Sequence, residues 1–281
     1  MPRETFRENV VVITGASSGI GRALSVQLAA RGAHLVLAAR RERRLEELAE
    51  ACRADGAKAI GVPVDVADEA ACGELISTAV REFGRVDTLI TNAGVGARGN
   101  VGELPDLSQF RRLMETNFFG TLHCIWHALP HLERTGGRIV AISSIIGRLA
   151  VPGEAAYCAS KFAVTGLCDA LRMELKGTGI SVTVVYPGYV VSEFAEKSLQ
   201  QNGEPHGPDA RQLYTNGMMS AEACASKIIG AAARRQRDLY TRLRERVATG
   251  VNLVTPRLSD LVVRQHIQKK DGRLRSEPDT P

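Results

Sequence analysis

Short runs of apolar, β-branched residues alternate along this chain with longer amphipathic segments. The runs are apolar throughout, which indicates parallel strands buried on both faces. We predict such strands at Val10–Thr14, His34–Ala39, Ala59–Val64, Val86–Thr91, Gly137–Ser143 and Ile180–Tyr186. The intervening segments predict helices near Ile20–Arg31, Arg41–Ala54, Asp68–Phe83, Leu107–Leu132 and Ala155–Lys176. This βαβ rhythm is typical of a doubly wound α/β domain, a parallel sheet with helices on both faces.

The rhythm changes in the last third of the chain. Ser192–Ser220 is rich in Gly, Pro, Asn and Gln and is too long for a simple connection, which favours a lid over a disordered insertion. A helix at Ala221–Arg235 and a short strand at Asp238–Thr241 complete a predicted domain over residues 1–242. Residues 243–281 form a predicted basic helical extension, whose last dozen residues, Lys270–Pro281, have the composition of a disordered end.

The net charge of +5 is concentrated near the C-terminus, because residues 227–281 carry 13 Lys and Arg against 6 Asp and Glu. No nucleic-acid-binding motif or interleaved aromatic residue accompanies this charge, so we expect no nucleic-acid partner. The six cysteines form no Cys-x-x-Cys pair, which indicates reduced thiols. No stretch approaches the roughly 20 apolar residues of a membrane span, and the N-terminus lacks a signal-peptide core. We therefore expect a cytoplasmic protein.

The first predicted strand leads directly into the sequence TGASSGIG and then into a helix. A tight glycine turn at this place lets backbone N–H groups and the helix N-terminus approach a pyrophosphate. The spacing is Gly-x-x-x-Gly-x-Gly, which differs from the commoner dinucleotide fingerprint. The predicted phosphate-binding residues are Gly15, Ser17, Ser18, Gly19, Ile20 and Gly21.

A tyrosine and a lysine stand four residues apart near the start of a later predicted helix, at Tyr157 and Lys161. This spacing places both side chains on one helix face. A tyrosine with a pKa near 10 is a poor base at neutral pH, and an adjacent ammonium group favours its phenolate. The helix dipole acts in the same direction. The pair therefore suits a tyrosine that transfers a proton, although Tyr-x-x-x-Lys taken alone is common and usually marks surface residues.

Together these motifs resemble the short-chain dehydrogenase/reductase family, from about Val10 to Ser192. The resemblance implies a Rossmann-like fold and an NAD(P)-dependent oxidoreductase that interconverts an alcohol and a ketone or aldehyde. The motifs that carry it, besides TGASSGIG, are Asp65-Val66, Asn92-Ala93-Gly94, Asn117, Ser144, Tyr157-x-x-x-Lys161 and Pro187-Gly188.

The resemblance also implies the roles of four catalytic residues. Tyr157 is the general acid in reduction and the general base in oxidation, while Lys161 lowers its pKa and hydrogen-bonds the nicotinamide ribose. Ser144 positions the substrate oxygen, with Ser143 as an adjacent alternative that the spacing disfavours. Asn117 anchors a water of the proton relay.

Further cofactor contacts follow from the same resemblance. Asp65 and Val66 flank the adenine, and Asn92 stabilises the strand beside it, followed by Ala93 and Gly94. The segment that borders the nicotinamide contains Pro187, Gly188, Val190 and Ser192, the last in place of the family's threonine.

The end of the second strand predicts NADP(H) as the cofactor. Ala39 stands where relatives that prefer NAD carry an acid, and Arg40 follows it. An arginine at this place accommodates a 2′-phosphate. Alternatively, Arg40, Arg41, Arg43 and Arg44 form a solvated helix start, although cations at a helix N-terminus oppose its dipole and suggest a compensating anion.

Three other functions are weighed against a carbonyl reductase. The complete catalytic set disfavours an inactive NADP-binding regulator. Epimerases differ in glycine spacing, and enoyl reductases space the Tyr and Lys further apart.

The predicted lid suggests a hydrophobic alcohol or ketone as substrate, because it contains few charges and the residues Phe194, Leu199, Leu213, Tyr214, Met218 and Met219.

The helix around Leu107–Leu132 contains His123, His127 and His131, which recur every four residues. No Cys or carboxylate stands beside them, and Pro130 would disturb the helix, so we predict structural histidines and no metal site. This helix and Ala155–Lys176 are expected to form the interface of a homodimer or homotetramer.

Thr255-Pro256 has the form of a helix start, with Thr as N-cap and Pro at the first helical position. Apolar side chains are predicted on one side of this helix, at Leu258, Leu261, Val262 and Ile267. Polar side chains are predicted on the other, at Arg257, Asp260, Arg264 and Gln268. Such a helix packs on protein or, as the secondary interpretation, makes weak peripheral contact with an anionic membrane.

Overall fold

The computed structural model describes residues 3–207 and 218–271. Its centre is a sheet of seven parallel strands in the order β3-β2-β1-β4-β5-β6-β7. The strands are β1 (Val10–Thr14), β2 (His34–Ala39), β3 (Ala59–Pro63), β4 (Thr88–Thr91), β5 (Arg138–Ile142), β6 (Ser181–Tyr186) and β7 (Asp238–Tyr240). The predicted doubly wound α/β fold is confirmed.

Helices cover both faces of this sheet. They are α1 (Gly19–Ala29), α2 (Glu42–Ala54), α3 (Glu69–Phe83), α4 (Ser108–Leu113), α5 (Gly120–Thr135), α6 (Ala155–Glu174), α7 (Phe194–Lys197), α8 (Ala221–Ala233), α9 (Leu243–Val254) and α10 (Pro256–Asp271). Successive side chains of a strand point to opposite faces, so Val11 and Ile13 enter one apolar core while Val10 and Val12 enter the other. A fully apolar β1 is therefore buried on both sides.

The strand order reverses beside β1, since the chain builds outward to β3 and then returns to β4. In open α/β sheets the crevice at such a switch point lies beyond the carboxyl ends of the strands, where ligands bind. The fold thus brings the segments after β1, β4, β5 and β6 to one edge.

The predicted helix at Leu107–Leu132 is divided in the structure. A π-helical segment, Met114–Phe119, separates α4 from α5. The predicted disturbance by Pro130 is wrong, because α5 continues through it to Thr135. The buried side chains of Ala128 and Leu132 keep this part of α5 packed on the core despite the missing N–H of the proline.

The C-terminal extension consists of α9 and α10, which pack on each other. Both lie in the predicted helical extension, although no bounds were predicted for α9, and α10 begins at the predicted Pro256. Thr255 directly precedes α10, and its hydroxyl donates to the Val251 carbonyl oxygen of α9. The side chains of Leu258, Leu261 and Val262 are 52%, 53% and 55% exposed, so the apolar face of α10 is not covered by the described protein.

Some predictions fall on residues that the structure does not describe. Residues 208–217 of the predicted lid, which include Leu213 and Tyr214, lie outside the described residues, as do residues 272–281 of the predicted disordered end. The side chains of Ile267 and Gln268 are likewise outside the description. In the described parts of the chain, no helix is both long and apolar enough to cross a membrane.

Candidate active site

The glycine turn after β1 approaches its neighbours too closely for any larger residue. Gly15 has a φ of +64°, and a Cβ on Gly21 would lie 2.3 Å from the Gly15 carbonyl oxygen. Asn92, after β4, holds this turn by donating from Nδ2 to the carbonyl oxygens of Thr14 and Gly15, at 3.0 and 3.1 Å. Ala93 also joins the turn, because its N–H donates to Thr14 Oγ1.

The first turn of α1 is available for an anion. Ser18 occupies the N-cap position of α1 but its side chain does not cap the helix, and Ile20 and Gly21 follow in the first turn. N–H groups at such a helix start bind phosphate groups well. The narrow glycine turn and the uncapped N-terminus fit the pyrophosphate of a dinucleotide cofactor.

The two arginines that precede α2, Arg40 and Arg41, make different contacts near this turn. The Arg40 guanidinium lies 3.8 Å from the Asp65 carboxylate, and both side chains are about half exposed. Arg41 instead reaches the glycine turn, where its Nη2 donates to Ser17 Oγ at 2.9 Å. Sequence reasoning favoured Arg40 and treated Arg41 only as part of the helix start, because the chain separation from Ser17 gives no local signal of this contact.

Val66 lies beneath the same edge of the site. It is buried against Gly120, where a Cβ would come within 2.5 Å of Val66 Cγ2. Its carbonyl oxygen lies 3.1 Å from His123 Nδ1, and His127 packs against Gly73. These two histidines therefore have structural contacts.

Ser144 follows β5 and faces Tyr157 on α6. The Ser144 side chain lies close enough to Tyr157 to act on the pKa of its hydroxyl in the lowering direction, and Ser144 Oγ accepts weakly from the Ile146 N–H at 3.4 Å. Ser143 is buried and turned away, since its Oγ donates to the Lys161 carbonyl oxygen at 3.0 Å. The geometry thus selects Ser144 over Ser143 as the serine that reaches the tyrosine.

Lys161 lies below Tyr157 in a buried position. Its Nζ donates to the Ile142 carbonyl oxygen at 2.9 Å and lies 5.8 Å from the centroid of the Tyr157 ring. Burial disfavours the ammonium form and lowers the pKa of Lys161 to about 8.

The pKa of Tyr157 moves in the direction opposite to the prediction. Burial raises it above its ordinary value, and the nearby Glu154 carboxylate adds to this shift. The hydrogen bond with Ser144 acts in the lowering direction but is outweighed. In this arrangement desolvation of the phenolate, rather than the charge of Lys161, dominates the proton affinity of the tyrosine.

Asn117 lies in the π-helical segment and is fully buried. Its Nδ2 donates to the Val95 carbonyl oxygen and to Ser160 Oγ, each at 2.9 Å, while its Oδ1 accepts from the Val95 N–H at 2.8 Å. The adjoining Gly94 fits closely, since its Cβ would lie 3.1 Å from Asn117 Oδ1. Asn117 therefore fastens the loop after β4 to the start of α6, and π-helical segments are frequent at such functional sites.

The segment after β6 closes the site on another side. The Pro187 carbonyl oxygen accepts from the Ile145 N–H at 3.0 Å, and Val190 forms a bridge with Met219. A Cβ on Gly188 would lie 2.2 Å from Oε1 of Glu245, a buried residue of α9 that sequence reasoning missed. Ser192 lies against Gly19, where a Cβ would approach Ser192 Cβ to 2.9 Å.

Apolar side chains pack against the ring of Tyr157. The Phe194 ring of α7 lies over the Tyr157 ring with centroids 5.5 Å apart. Tyr157 also packs against a small apolar cluster formed by Val95, Ala97, Phe110, Leu113, Ala156 and Leu199. This surface suits an apolar group beside the tyrosine hydroxyl.

The comparisons with known proteins agree with this arrangement. The short chain dehydrogenase family matches residues 9–203. The 11-beta-hydroxysteroid dehydrogenase A of Arachis hypogaea is 38% identical over 266 residues, which are 93% of this chain and 76% of that protein. Dehydrogenase/reductase SDR family member 7B of Bos taurus is 38% identical over 245 residues, 84% of this chain and 74% of that protein.

Two solved structures resemble the whole fold. A short-chain dehydrogenase/reductase from Burkholderia phymatum in complex with NAD has a TM-score of 0.80 at 27% identity and covers 99% of both chains. An alcohol dehydrogenase from Thermococcus sibiricus, complexed with 5-hydroxy-NADP, has a TM-score of 0.70 at 26% identity and covers 83% of this chain and 95% of that one. The chain described here belongs to the short-chain dehydrogenase/reductase family and is a nucleotide-binding oxidoreductase.

Proposed function

We propose that this protein is an NADP(H)-dependent oxidoreductase that interconverts an alcohol with a ketone or aldehyde, most effectively a secondary alcohol with its ketone. The observation that carries the proposal is the contact of Ser144 with Tyr157, with the Lys161 ammonium group buried beside the tyrosine ring. A protein that only binds the cofactor, without turnover, would not need a serine beside the tyrosine hydroxyl. Two neighbouring hydroxyl groups do suit proton transfer to a substrate oxygen.

The roles of the side chains follow from these positions. A bound nicotinamide cofactor supplies or accepts the hydride. Tyr157 donates its proton to the substrate oxygen in reduction and recovers it in oxidation, while Ser144 orients that oxygen by a hydrogen bond. Lys161 contributes positive charge beneath the tyrosine, and Asn117 keeps the surrounding loop and α6 in place.

The raised pKa of Tyr157 keeps its hydroxyl in the protonated form, which is the form that reduction uses. A tyrosine with a high proton affinity is protonated at neutral pH, so it is ready to act as an acid, whereas oxidation requires the phenolate. Lys161, with a pKa of about 8, is still mostly protonated at pH 7 and stabilises negative charge that develops on the tyrosine oxygen.

The preference for NADP(H) is supported by the charges at the end of β2. Ala39 offers no carboxylate to a ribose hydroxyl, Arg40 follows it beside Asp65, and the Arg41 guanidinium contacts Ser17 of the glycine turn. Guanidinium groups bind phosphate with paired, charge-assisted hydrogen bonds. The Arg40–Asp65 pair, at 3.8 Å and half exposed, leaves Arg40 able to turn towards a phosphate.

A hydrophobic and bulky substrate is supported by the surface beside Tyr157. Phe194 contacts the Tyr157 ring, and Leu199 belongs to the apolar cluster on which Tyr157 packs. Several relatives at 36–38% identity are named as hydroxysteroid dehydrogenases or as similar to them, which agrees with an apolar alcohol of ring character for this chain.

The test is a screen of ketones and aldehydes that follows NADPH consumption. Apolar cyclic ketones should be reduced faster than small charged oxo acids, and NADPH should support the reaction better than NADH. The Tyr157→Phe variant, measured on the best substrate, separates turnover at this site from any contaminating reductase. If the rate of NADPH consumption were unchanged in this variant, the proposal would be refuted.

A further inference from the structure

One carboxylate of the lid is held by three cations. Glu193 stands directly before α7, and its Oε2 accepts from Arg41 Nη1 at 2.9 Å while its Oε1 accepts from Arg44 Nη1 at 2.6 Å. Lys197, one turn further along, also pairs with Glu193. The Glu193 and Arg41 side chains are 26% and 34% exposed, so this contact is partly shielded from solvent.

The same guanidinium joins the lid to the glycine turn. Arg41 donates to Glu193 through Nη1 and to Ser17 Oγ through Nη2, the latter at 2.9 Å. Beside this contact Ser192 is packed against Gly19, as described above. Ser17, Arg44 and Glu193 also line one cavity of about 280 Å³ at the start of α1 and α2. The beginning of the lid is thus tied across the phosphate-binding end of the site.

Glu193 is a permanent anion under ordinary conditions. Hydrogen bonds from Lys197, Arg44 and Arg41 lower the pKa of its carboxyl group to about 2, although partial burial opposes them. Its negative charge therefore persists across the pH range in which the protein functions.

We infer that Glu193 is an internal competitor for the 2′-phosphate of the cofactor and thereby sets the selectivity between NADP(H) and NAD(H). This inference rests on the proposed use of NADP(H). A carboxylate and a phosphate use the same guanidinium donors, and two anions placed on one arginine repel each other. A 2′-phosphate that binds Arg41 would compete with Glu193 for that guanidinium, whereas NAD(H) brings no anion to that place.

The exchange of partners has a consequence for the substrate side. Glu193 is followed by Phe194, whose ring covers Tyr157 at 5.5 Å between centroids. Loss of the Arg41 contact would leave Glu193 held by Arg44 and Lys197, which would weaken the attachment of the segment that carries this ring.

The experiment compares Glu193→Gln with Glu47→Gln as the matched control. Glu47 lines the same cavity but pairs with Arg43 on the exposed side of α2, so its substitution removes an equal charge without releasing Arg41. Isothermal titration with NADPH and NADH gives each Kd without any need for turnover. Partly exposed ion pairs are individually weak, so Glu193→Gln should lower the Kd for NADPH by about three- to tenfold and leave that for NADH unchanged.

Glu47→Gln should change the two Kd values by the same small factor. A second readout is hydrogen exchange at residues 193–199, which NADPH but not NADH should accelerate in the wild-type protein. An unchanged Kd for NADPH in Glu193→Gln would overturn the inference, and so would an equal gain for both cofactors. Equal wild-type affinity for the two cofactors would instead refute the NADP(H) proposal, and a selective gain for NADPH in Glu193→Gln would still support the competition.

Discussion

The two ends of the active site are held by different kinds of interaction. At the chemical end, buried side chains such as Lys161 and Asn117 bond to backbone carbonyl groups of neighbouring loops. At the phosphate end, partly exposed ion pairs connect Arg41 and Arg44 with Glu193. Buried hydrogen bonds fix one geometry because breaking them leaves polar groups unpaired, whereas exposed ion pairs are weak and exchange partners readily. The site therefore combines a rigid chemical end with an adjustable cofactor end.

The largest effect expected from this comparison concerns the rigid end. Tyr157→Phe removes the proton donor and keeps the ring, so turnover should fall on the order of a hundredfold or more. The Kd for NADPH should stay within about a factor of two, because no phosphate contact is lost. Steady-state kinetics and titration measure the two quantities. Tyr240→Phe, in β7, is the control variant, and near-normal rates in Tyr157→Phe would contradict the mechanism.

The buried position of Lys161 should affect how the rate of reduction and the affinity for NADPH depend on pH. Its pKa of about 8 lies below the ordinary value, so the cation is present at lower pH and is lost as the pH rises through about 8. We expect the rate of reduction and the affinity for NADPH to fall on the alkaline side of this value. Lys161→Ala should lose roughly tenfold or more in both and show no such step. A step that persists in the variant would assign it to another group.

The same residue affects stability with a defined sign. Because its folded pKa is depressed, the unfolded chain binds more protons between about pH 8 and 10.5. The contribution of Lys161 to stability therefore increases as the pH rises through that interval and is lost as the pH falls. Chemical unfolding of wild type and Lys161→Met across this range checks the prediction, since the variant should lack this slope.

At the cofactor end, removal of a single charge should change NADPH affinity by a smaller factor than the loss of turnover in Tyr157→Phe. Arg40→Ala should weaken NADPH binding by about ten- to a hundredfold and leave NADH binding nearly unchanged, through loss of a charge-assisted phosphate contact. Arg43→Ala is the matched control, because that side chain is 93% exposed and pairs with Glu47. An Arg40→Ala variant with wild-type selectivity would show that Arg41 alone carries the preference.

The smallest effect is expected outside the site, on α9 and α10. Exposed apolar side chains on both helices lie near Arg244, Arg246, Arg257 and Arg264, so contact with a vesicle of anionic lipid should be weak and salt-sensitive, at about 1 kcal/mol per basic residue. Co-sedimentation at low and high salt, with and without the residues beyond Thr255, measures it. Leu261→Asp should abolish pelleting. No lipid-dependent pelleting at low salt would leave contact between protein copies as the use of this face.

The sequence predicted the sheet because burial on both faces leaves a continuous apolar run, and the site residues were assigned from motifs after these runs and from the spacing of Tyr157 and Lys161. It missed Glu245 of α9, because this buried polar residue follows no periodic signal. It also missed the π-helical segment around Asn117, which depends on packing against α6. The contact of Arg41 with Glu193 joins residues 152 positions apart, and no local pattern specifies such a pairing. Tertiary contacts between charged loop residues are thus the part of the site that sequence reasoning did not reach.

The position of Glu245 decides where this chain can be shortened. Its carboxylate accepts from Thr241 Oγ1 at 2.7 Å and from the Arg242 N–H at 2.8 Å, and it fills the space beside Gly188. A fragment that stops at residue 242 would leave these donors unpaired and open a gap next to the loop after β6. A fragment that stops at Val254 would keep them. An expression fragment of the minimal enzyme should therefore retain α9 and end in the short joint before Pro256.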